Sequence, residues 1–193
     1  RLQVIPPFSL YWVSMLHDYW MHRSDFKFVE QFLMPVAGVL DWYEKRIDAN
    51  KNILGPMKWW NFVDWNQQFP GGTPDGANEG NSSVITFQYV YTLKQAADLF
   101  SYFGKTAEAN HYRSLAEKLG KSTFALCYDA QKGVLANTPL KNTFSQHASI
   151  MAILSGSVPK ELQQKIMMNV LTDASISQAT FYYRFYLNRA LNY

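Results

Sequence analysis

The run Ser83-Val84-Ile85-Thr86-Phe87-Gln88-Tyr89-Val90-Tyr91-Thr92-Leu93-Lys94-Gln95-Ala96-Ala97-Asp98-Leu99-Phe100-Ser101-Tyr102-Phe103, then Gly104-Lys105, then a second run from Thr106 to about Leu126, decides the fold. Wound at 3.6 residues per turn, the first run is apolar round most of its circumference, so it reads as a helix buried on nearly every side. The second sets His111, Arg113, Glu117, Lys118 and Lys121 on one wet face, as a helix on the outside of a protein does. Only Gly104 and Lys105 lie between them, enough for a tight reversal and nothing more. Gly104 suits a left-handed C-cap and Thr106 the following N-cap. An inner helix turning tightly into an outer one is a helical hairpin.

The same alternation extends both ways. Upstream, Phe8 to His22 is apolar almost all round and reads as inner, whereas Asp25 to about Asp48 carries one stripe (Val29, Phe32, Leu33, Val36, Leu40, Tyr43, Ile47) and reads as outer. Downstream, Ser145 to Ser155 is inner and Lys160 to Leu171 outer, and a last inner helix starts at about Ser177. Seven helical segments with almost no strand alternation make the class all-α. Ser24, Thr106 and Ser157 are expected N-caps after tight turns, and Gly156 a second C-cap glycine. The outer-to-inner connections are long instead: Ala49 to Ser82 and Tyr128 to Phe144 both fall at the rim where inner helices begin, and function is expected there. Ser82 is placed to cap the third helix.

Three and a half hairpins make about half of a closed double ring, so the expected architecture is an incomplete (α/α)6 toroid whose apolar flanks need covering. A superhelical solenoid is the alternative, but loops this unequal fit a near-constant repeat poorly. All 193 residues read as one domain. The chain begins at Arg1 without a signal-peptide pattern through Pro7, and it is still helical, and rich in Tyr, Phe and Leu, where it stops at Tyr193. An internal fragment of a longer polypeptide is the expectation.

Composition narrows the function classes. The 48% hydrophobic and 17% charged content is globular, and a net charge of +3 without a basic run argues against nucleic acid. No segment is apolar for long enough to span a bilayer, and no glycine loop suits phosphate. The lone Cys127, in a helical pattern, reads as a buried thiol and excludes disulfides and thiolate metal sites within the chain; no metal and no cofactor are expected. Aromatic content of 16% serves either a core or a surface that stacks on a ligand.

Lys58-Trp59-Trp60-Asn61-Phe62-Val63-Asp64-Trp65-Asn66, in the first long rim loop, joins three indoles to a carboxylate. Sugars present an apolar C–H face that stacks on indole and hydroxyls that need carboxylate acceptors and amide donors. Trp60, Asp64 and Trp65 are therefore candidate sugar-binding residues; core tryptophans with Asp64 as a turn cap are the alternative. Glu79 precedes an inner helix whose dipole favours an anion, and is either a ligand-binding carboxylate or a solvated turn residue. His147 lies in the first turn of another inner helix at the same rim, as a sugar-binding imidazole or a satisfied core histidine. His17 and Asp18 are neighbours, and adjacent helix positions diverge too far for a relay.

Ile5-Pro6-Pro7-Phe8-Ser9-Leu10-Tyr11-Trp12, Val39-Leu40-Asp41-Trp42-Tyr43, Trp59-Trp60-Asn61-Phe62-Val63-Asp64-Trp65 and Ser145-Gln146-His147-Ala148 together resemble the six-hairpin catalytic domain of bacterial α-L-rhamnosidases. The resemblance implies an inverting glycoside hydrolase acting on terminal rhamnosyl residues, with an extracytoplasmic location. Such an enzyme needs a carboxylic acid and a carboxylate base facing each other across a gap of roughly 6.5–9.5 Å. The family's acid lies in an acidic motif ahead of the first inner helix seen here, and its base in a late glutamate. Nothing in the chain matches either, so both catalytic groups are expected outside it, in the remainder of the parent polypeptide. What carries over is carbohydrate binding by Asp64 and Trp65, with Trp60. A non-catalytic carbohydrate-binding helical module and a helical-repeat interaction scaffold are the competing readings.

Overall fold

A computed structural model describes residues 3–193; the first two residues of the opening segment lie outside it. Eight α-helices follow in order among the described residues: α1 (Pro6–His22), α2 (Phe26–Glu30), α3 (Leu33–Glu44), α4 (Ser83–Tyr102), α5 (Thr106–Cys127), α6 (Gln146–Leu154), α7 (Lys160–Thr172) and α8 (Arg184–Leu191). Helices α1, α4, α6 and α8 touch in sequence as the inner row, and α3, α5 and α7 pack outside them. The arrangement is the expected incomplete toroid of three and a half hairpins. No helix among the described residues is long and apolar enough to cross a membrane.

One continuous core runs between the layers. Every residue of α6 is buried, and α4 buries most of its circumference, with the Tyr89 hydroxyl donating to the Leu40 carbonyl of α3 at 2.8 Å. Helix α1 departs from the all-round burial its composition suggests. It buries Pro6, Pro7, Leu10, Val13 and Leu16 but leaves Phe8, Met15, Tyr19 and Met21 open, because α4 adjoins only one flank. At the other end of the row, α8 exposes Phe185 and Leu191. The two end helices nevertheless meet through Tyr11 and Tyr186, whose rings stack at 5.8 Å.

The outer helix expected over 25–48 is broken into α2 and α3, with a turn at Gln31 and Phe32. Pro35 explains the break: it has no N–H to give Gln31, and its ring crowds that carbonyl. Asp25 rather than Ser24 caps α2, accepting from the Phe28 amide at 3.1 Å. Thr106 and Ser157 do not cap either, since the N-cap positions of α5 and α7 fall on Lys105 and Pro159. Ser82 occupies the N-cap of α4 but its buried hydroxyl makes no bond there. Gly104 and Gly156 do take left-handed conformations, with φ of 70° and 61°. The expected start of the last helix at Ser177 is wrong: residues 177–183 form a loop, joined to Ser145 by a single bridge, and α8 begins only at Arg184.

Two small antiparallel ladders went unread, β1 (Ile47–Asp48) with β2 (Ile53–Leu54) and β3 (Tyr128–Asp129) with β4 (Val134–Leu135). Two-residue strands are too short for an alternating pattern to register. Aligned, they are an internal repeat: Ile47-Asp48-Ala49-Asn50-Lys51-Asn52-Ile53-Leu54 and Tyr128-Asp129-Ala130-Gln131-Lys132-Gly133-Val134-Leu135. Each Asp accepts the amides two and three residues on, and each turn closes on a left-handed residue, Asn52 or Gly133. Each final Leu amide then donates to a hydroxyl in the first turns of the next inner helix, Leu54 to Thr86 at 3.2 Å and Leu135 to Ser149 at 3.0 Å. These clasps seat α4 and α6 and open the two long rim loops.

Candidate functional site

The first rim loop is held by its own polar side chains. Asn61 donates to the Met57 carbonyl at 3.1 Å and to Asn78 at 2.8 Å, and the Val63 amide donates to the Gly72 carbonyl at 2.8 Å. Gly72, with φ of 74°, lies so near the Phe62 ring that a Cβ there would come within 2.4 Å of it. Glycine alone permits both the backbone angle and the close approach. Phe62 then sits between Trp60 and Trp65, at centroid distances of 5.2 and 5.0 Å, with the two indoles 5.8 Å apart. The Trp60 indole N–H is fixed to the Gly71 carbonyl at 2.7 Å. Trp65 remains 65% exposed. Trp59, the first indole of the run, turns away at φ 77° to line a separate recess with Trp42.

Directly behind these rings Asp64 is 1% exposed and His147 is fully buried, with Nε2 of the imidazole 2.8 Å from Oδ2 of the carboxylate. The Thr180 amide donates to the same oxygen at 2.9 Å, and the Thr180 hydroxyl donates to Oδ1. Burial alone would raise the Asp64 pKa, but the hydrogen bonds from His147 and Thr180 outweigh it and hold the carboxyl below its usual range. Burial pulls the His147 pKa down despite the carboxylate beside it. The pair is therefore a neutral imidazole donating through Nε2–H to an aspartate anion. Nδ1 of His147 has no partner, and the Tyr183 and Phe69 rings flank the imidazole at 4.3 and 4.9 Å.

This arrangement brings Trp60, Asp64, Trp65 and His147 to one place on the rim. The direct hydroxyl bonds anticipated for Asp64 are not what its surroundings offer, since three protein donors already occupy the carboxylate. Nor can this His–Asp pair act as a general base, for the imidazole is sealed from any substrate. It joins three segments of chain: the first rim loop, the start of α6 and the loop before α8. A second junction runs alongside it. Ser177 donates to Asn66, Asn66 donates to the Gln178 carbonyl, and Gln146 accepts from the Ala179 amide at 2.8 Å. His17 and Asp18 approach to 3.7 Å, but His17 Nδ1 makes no hydrogen bond.

Thr180 lies in a loop where periodicity predicts helix; the cluster Asp173, Ser175, Ser177 and Gln178 is the signal against a helix there. Glu79 is exposed and lines a different pocket, with Lys51, Asp75 and Asn81, to which none of the other four candidates contributes. Cys127 is buried, which pushes its thiol up to about 12. Among the described residues, no three His, Cys, Asp or Glu side chains are grouped so as to hold a metal ion.

No curated protein sequence matches the chain. Among solved structures, the GH78 family rhamnosidase of Bacillus sp. GL1 superposes with a TM-score of 0.85 at 22% identity, covering 98% of this chain and 20% of that one. The Klebsiella oxytoca rhamnosidase with rhamnose bound gives 0.83 at 19% identity, covering 97% and 34% respectively. The α-L-rhamnosidase from Dictyoglumus thermophilum gives 0.71 at 16% identity, covering 97% and 20%. At these identities the likeness is one of fold, and the chain spans a fifth to a third of the length of each relative. The model of the bacterial α-L-rhamnosidase six-hairpin glycosidase domain matches residues 3–181. The chain belongs to that family of glycoside hydrolase domains.

Proposed function

We propose that this chain contributes the sugar-stacking part of the rim in an inverting α-L-rhamnosidase that removes terminal rhamnosyl residues from glycans. One observation carries the reading: Trp65 is 65% exposed, yet braced by Phe62 and Trp60 beside the buried Asp64–His147–Thr180 junction. A large apolar ring kept in water on a rigid mount suits a ligand face better than a core. The Trp65 indole stacks on the C–H face of the sugar and Trp60 walls it, while Asp64 and His147 act as positioning residues that fix the loop. The family match and the rhamnosidase neighbours, one of them with rhamnose bound, support rhamnose as the sugar.

The acid and base belong to the remainder of the parent polypeptide, which also covers the groove of about 450 Å³ that Phe8, Tyr11, Trp12, Phe185 and Tyr186 line between α1 and α8. The reading takes the parent enzyme to be extracytoplasmic, as the family resemblance implies. In the intact enzyme, Trp65→Ala is expected to lower kcat/KM for an aryl α-L-rhamnoside about tenfold, equivalent to about 1.4 kcal/mol of transition-state contact, with little change in Tm. The isolated chain is expected to show no turnover. Wild-type kinetics in Trp65→Ala, or turnover by the isolated chain that is lost on mutating Glu79, would overturn the assignment.

A further inference from the structure

Between α3 and the segment ahead of α1 lies a recess of about 400 Å³, lined by Val4, Pro6, Pro35, Gly38, Trp42 and Trp59. None of Trp60, Asp64, Trp65 or His147 contributes to it. We propose that this recess is an accessory, non-catalytic binding site for a neutral sugar residue; the proposal rests on reading the domain as one that handles glycans.

Two local costs converge on the recess, and packing within the chain explains neither. The first is Trp59, held at φ 77° although a left-handed backbone strains any bulky residue. Burial does not repay that strain, since Trp59 is 62% exposed. Its neighbour Trp60 gives its indole N–H to the Gly71 carbonyl, whereas that of Trp59 meets no acceptor among the described residues. The second is Gly38, inside α3, where alanine would favour the helix. Its φ is not positive, and a Cβ there would meet nothing within 4 Å, so neither backbone angle nor crowding calls for glycine. What the missing side chain does is leave the floor of the recess open. Trp42 is fixed as well: the Arg46 guanidinium lies 3.5 Å from its ring centroid and donates to its carbonyl. One indole is thus held by a stacked cation and the other by its backbone, the preorganised mount that a ligand face needs.

The lining selects the ligand class. No charged side chain lines the recess, so it favours neither a cation nor an anion. A stable protein partner would need a contact of about 800 Å² on each side, whereas a recess of this volume has the size of a small-molecule site. A pyranose offers an apolar C–H face to the indoles and hydroxyls to the polar atoms at the edge. Trp59 supplies an indole donor there. Ser9, whose hydroxyl proton goes to the Pro6 carbonyl at 2.7 Å, supplies an oxygen that accepts.

Calorimetric titration of the intact enzyme with L-rhamnose, and in parallel with D-glucose, tests the proposal in a Trp65→Ala background, where the rim platform no longer contributes. At least one of the two sugars is expected to bind. Gly38→Leu fills the recess with a good helix former, and Trp59→Gly relieves the left-handed strain while removing the indole. Each should weaken the remaining sugar binding at least about tenfold, the loss of a stacking contact, while Tm stays level or rises. A purely structural Trp59, or a recess filled by the polypeptide itself, gives the opposite sign in Tm. The proposal is overturned if neither sugar binds up to the solubility limit, if binding is insensitive to both variants, or if either variant lowers Tm by more than about 2 °C. Full activity of Trp65→Ala on an aryl α-L-rhamnoside, with recess binding intact, would count against the stacking platform of the proposed function and leave this site standing.

Discussion

Replacing Asp64 by Ala removes the acceptor of three buried donors, His147 Nε2–H, the Thr180 amide and the Thr180 hydroxyl, and leaves no water path to satisfy them at 1% exposure. A buried donor left unpaired costs about 1–3 kcal/mol, and losing one partner of a buried charged network typically costs about 3–5 kcal/mol in total because such terms overlap. For a domain of this size each kcal/mol moves Tm by about 2–4 °C, so the expected drop is about 6–20 °C. Asp64→Asn should lose less. Its carbonyl oxygen can keep the place of Oδ2, accepting from His147 Nε2–H and the Thr180 amide, while its NH2 takes the place of Oδ1 and the Thr180 hydroxyl turns to accept from it. Thermal melts followed by far-UV circular dichroism, with urea midpoints as a second measure, give the comparison directly. A Tm within 2 °C of wild type in Asp64→Ala, accompanied by loss of sugar binding, would refute the argument and return the carboxylate to direct contact with ligand.

Acid should unfold the protein in two stages. Folding holds His147 below its ordinary value of 6.5, so the unfolded chain takes up this proton first and stability declines as pH falls below about 6.5; Asp64, held below 3.8, adds stability that is lost only as pH falls through that lower range. Urea midpoints across the acid range should show both windows, and His147→Gln should shrink the upper one without abolishing it, because burial also holds His17 below 6.5. Gly72→Ala forces a left-handed non-glycine residue and a clash with the Phe62 ring, so a loss of at least about 1–3 kcal/mol is expected in chemical denaturation, with the indoles beside it disturbed. Thr86→Val and Ser149→Ala each orphan one buried Leu amide, at about 1–3 kcal/mol each, and the two losses should add in the double variant because separate hairpins bear them.

The inner and outer character of the helices was legible wherever a segment packs on the scale of its own turn. Ser83 to Tyr102 and Thr106 to Cys127 were bounded within a residue or so, since apolar circumference and a wet stripe are local properties. Pro35 could have been read as a break but was overridden by the apolar stripe running through it. The clasps were lost because two strand residues carry no period, although Asp48-Ala49 and Asp129-Ala130 were open to alignment. At the site, the sequence placed the carboxylate, the indoles and the imidazole at one rim from loop lengths alone. It could not show that Asp64 spends its oxygens on His147 and Thr180, because those partners lie far along the chain and meet only when α6 and the loop before α8 close on the first rim loop. Exposure separates Trp65 from Asp64, and exposure is a property of the folded surroundings rather than of either residue.

The paired clasps also bear on how such a domain can change. Because Leu54 and Leu135 fasten each inner helix near its start, the chain between clasp and helix is released from any duty of placing that helix. Residues 55–82 fill that interval in one case and residues 136–145 in the other, yet both helices sit in register in the inner row. Loop closure grows costlier only with the logarithm of length. Insertions and deletions can therefore accumulate between clasp and helix without unseating the ring, which leaves the rim free to be resculpted while the scaffold beneath it stays fixed.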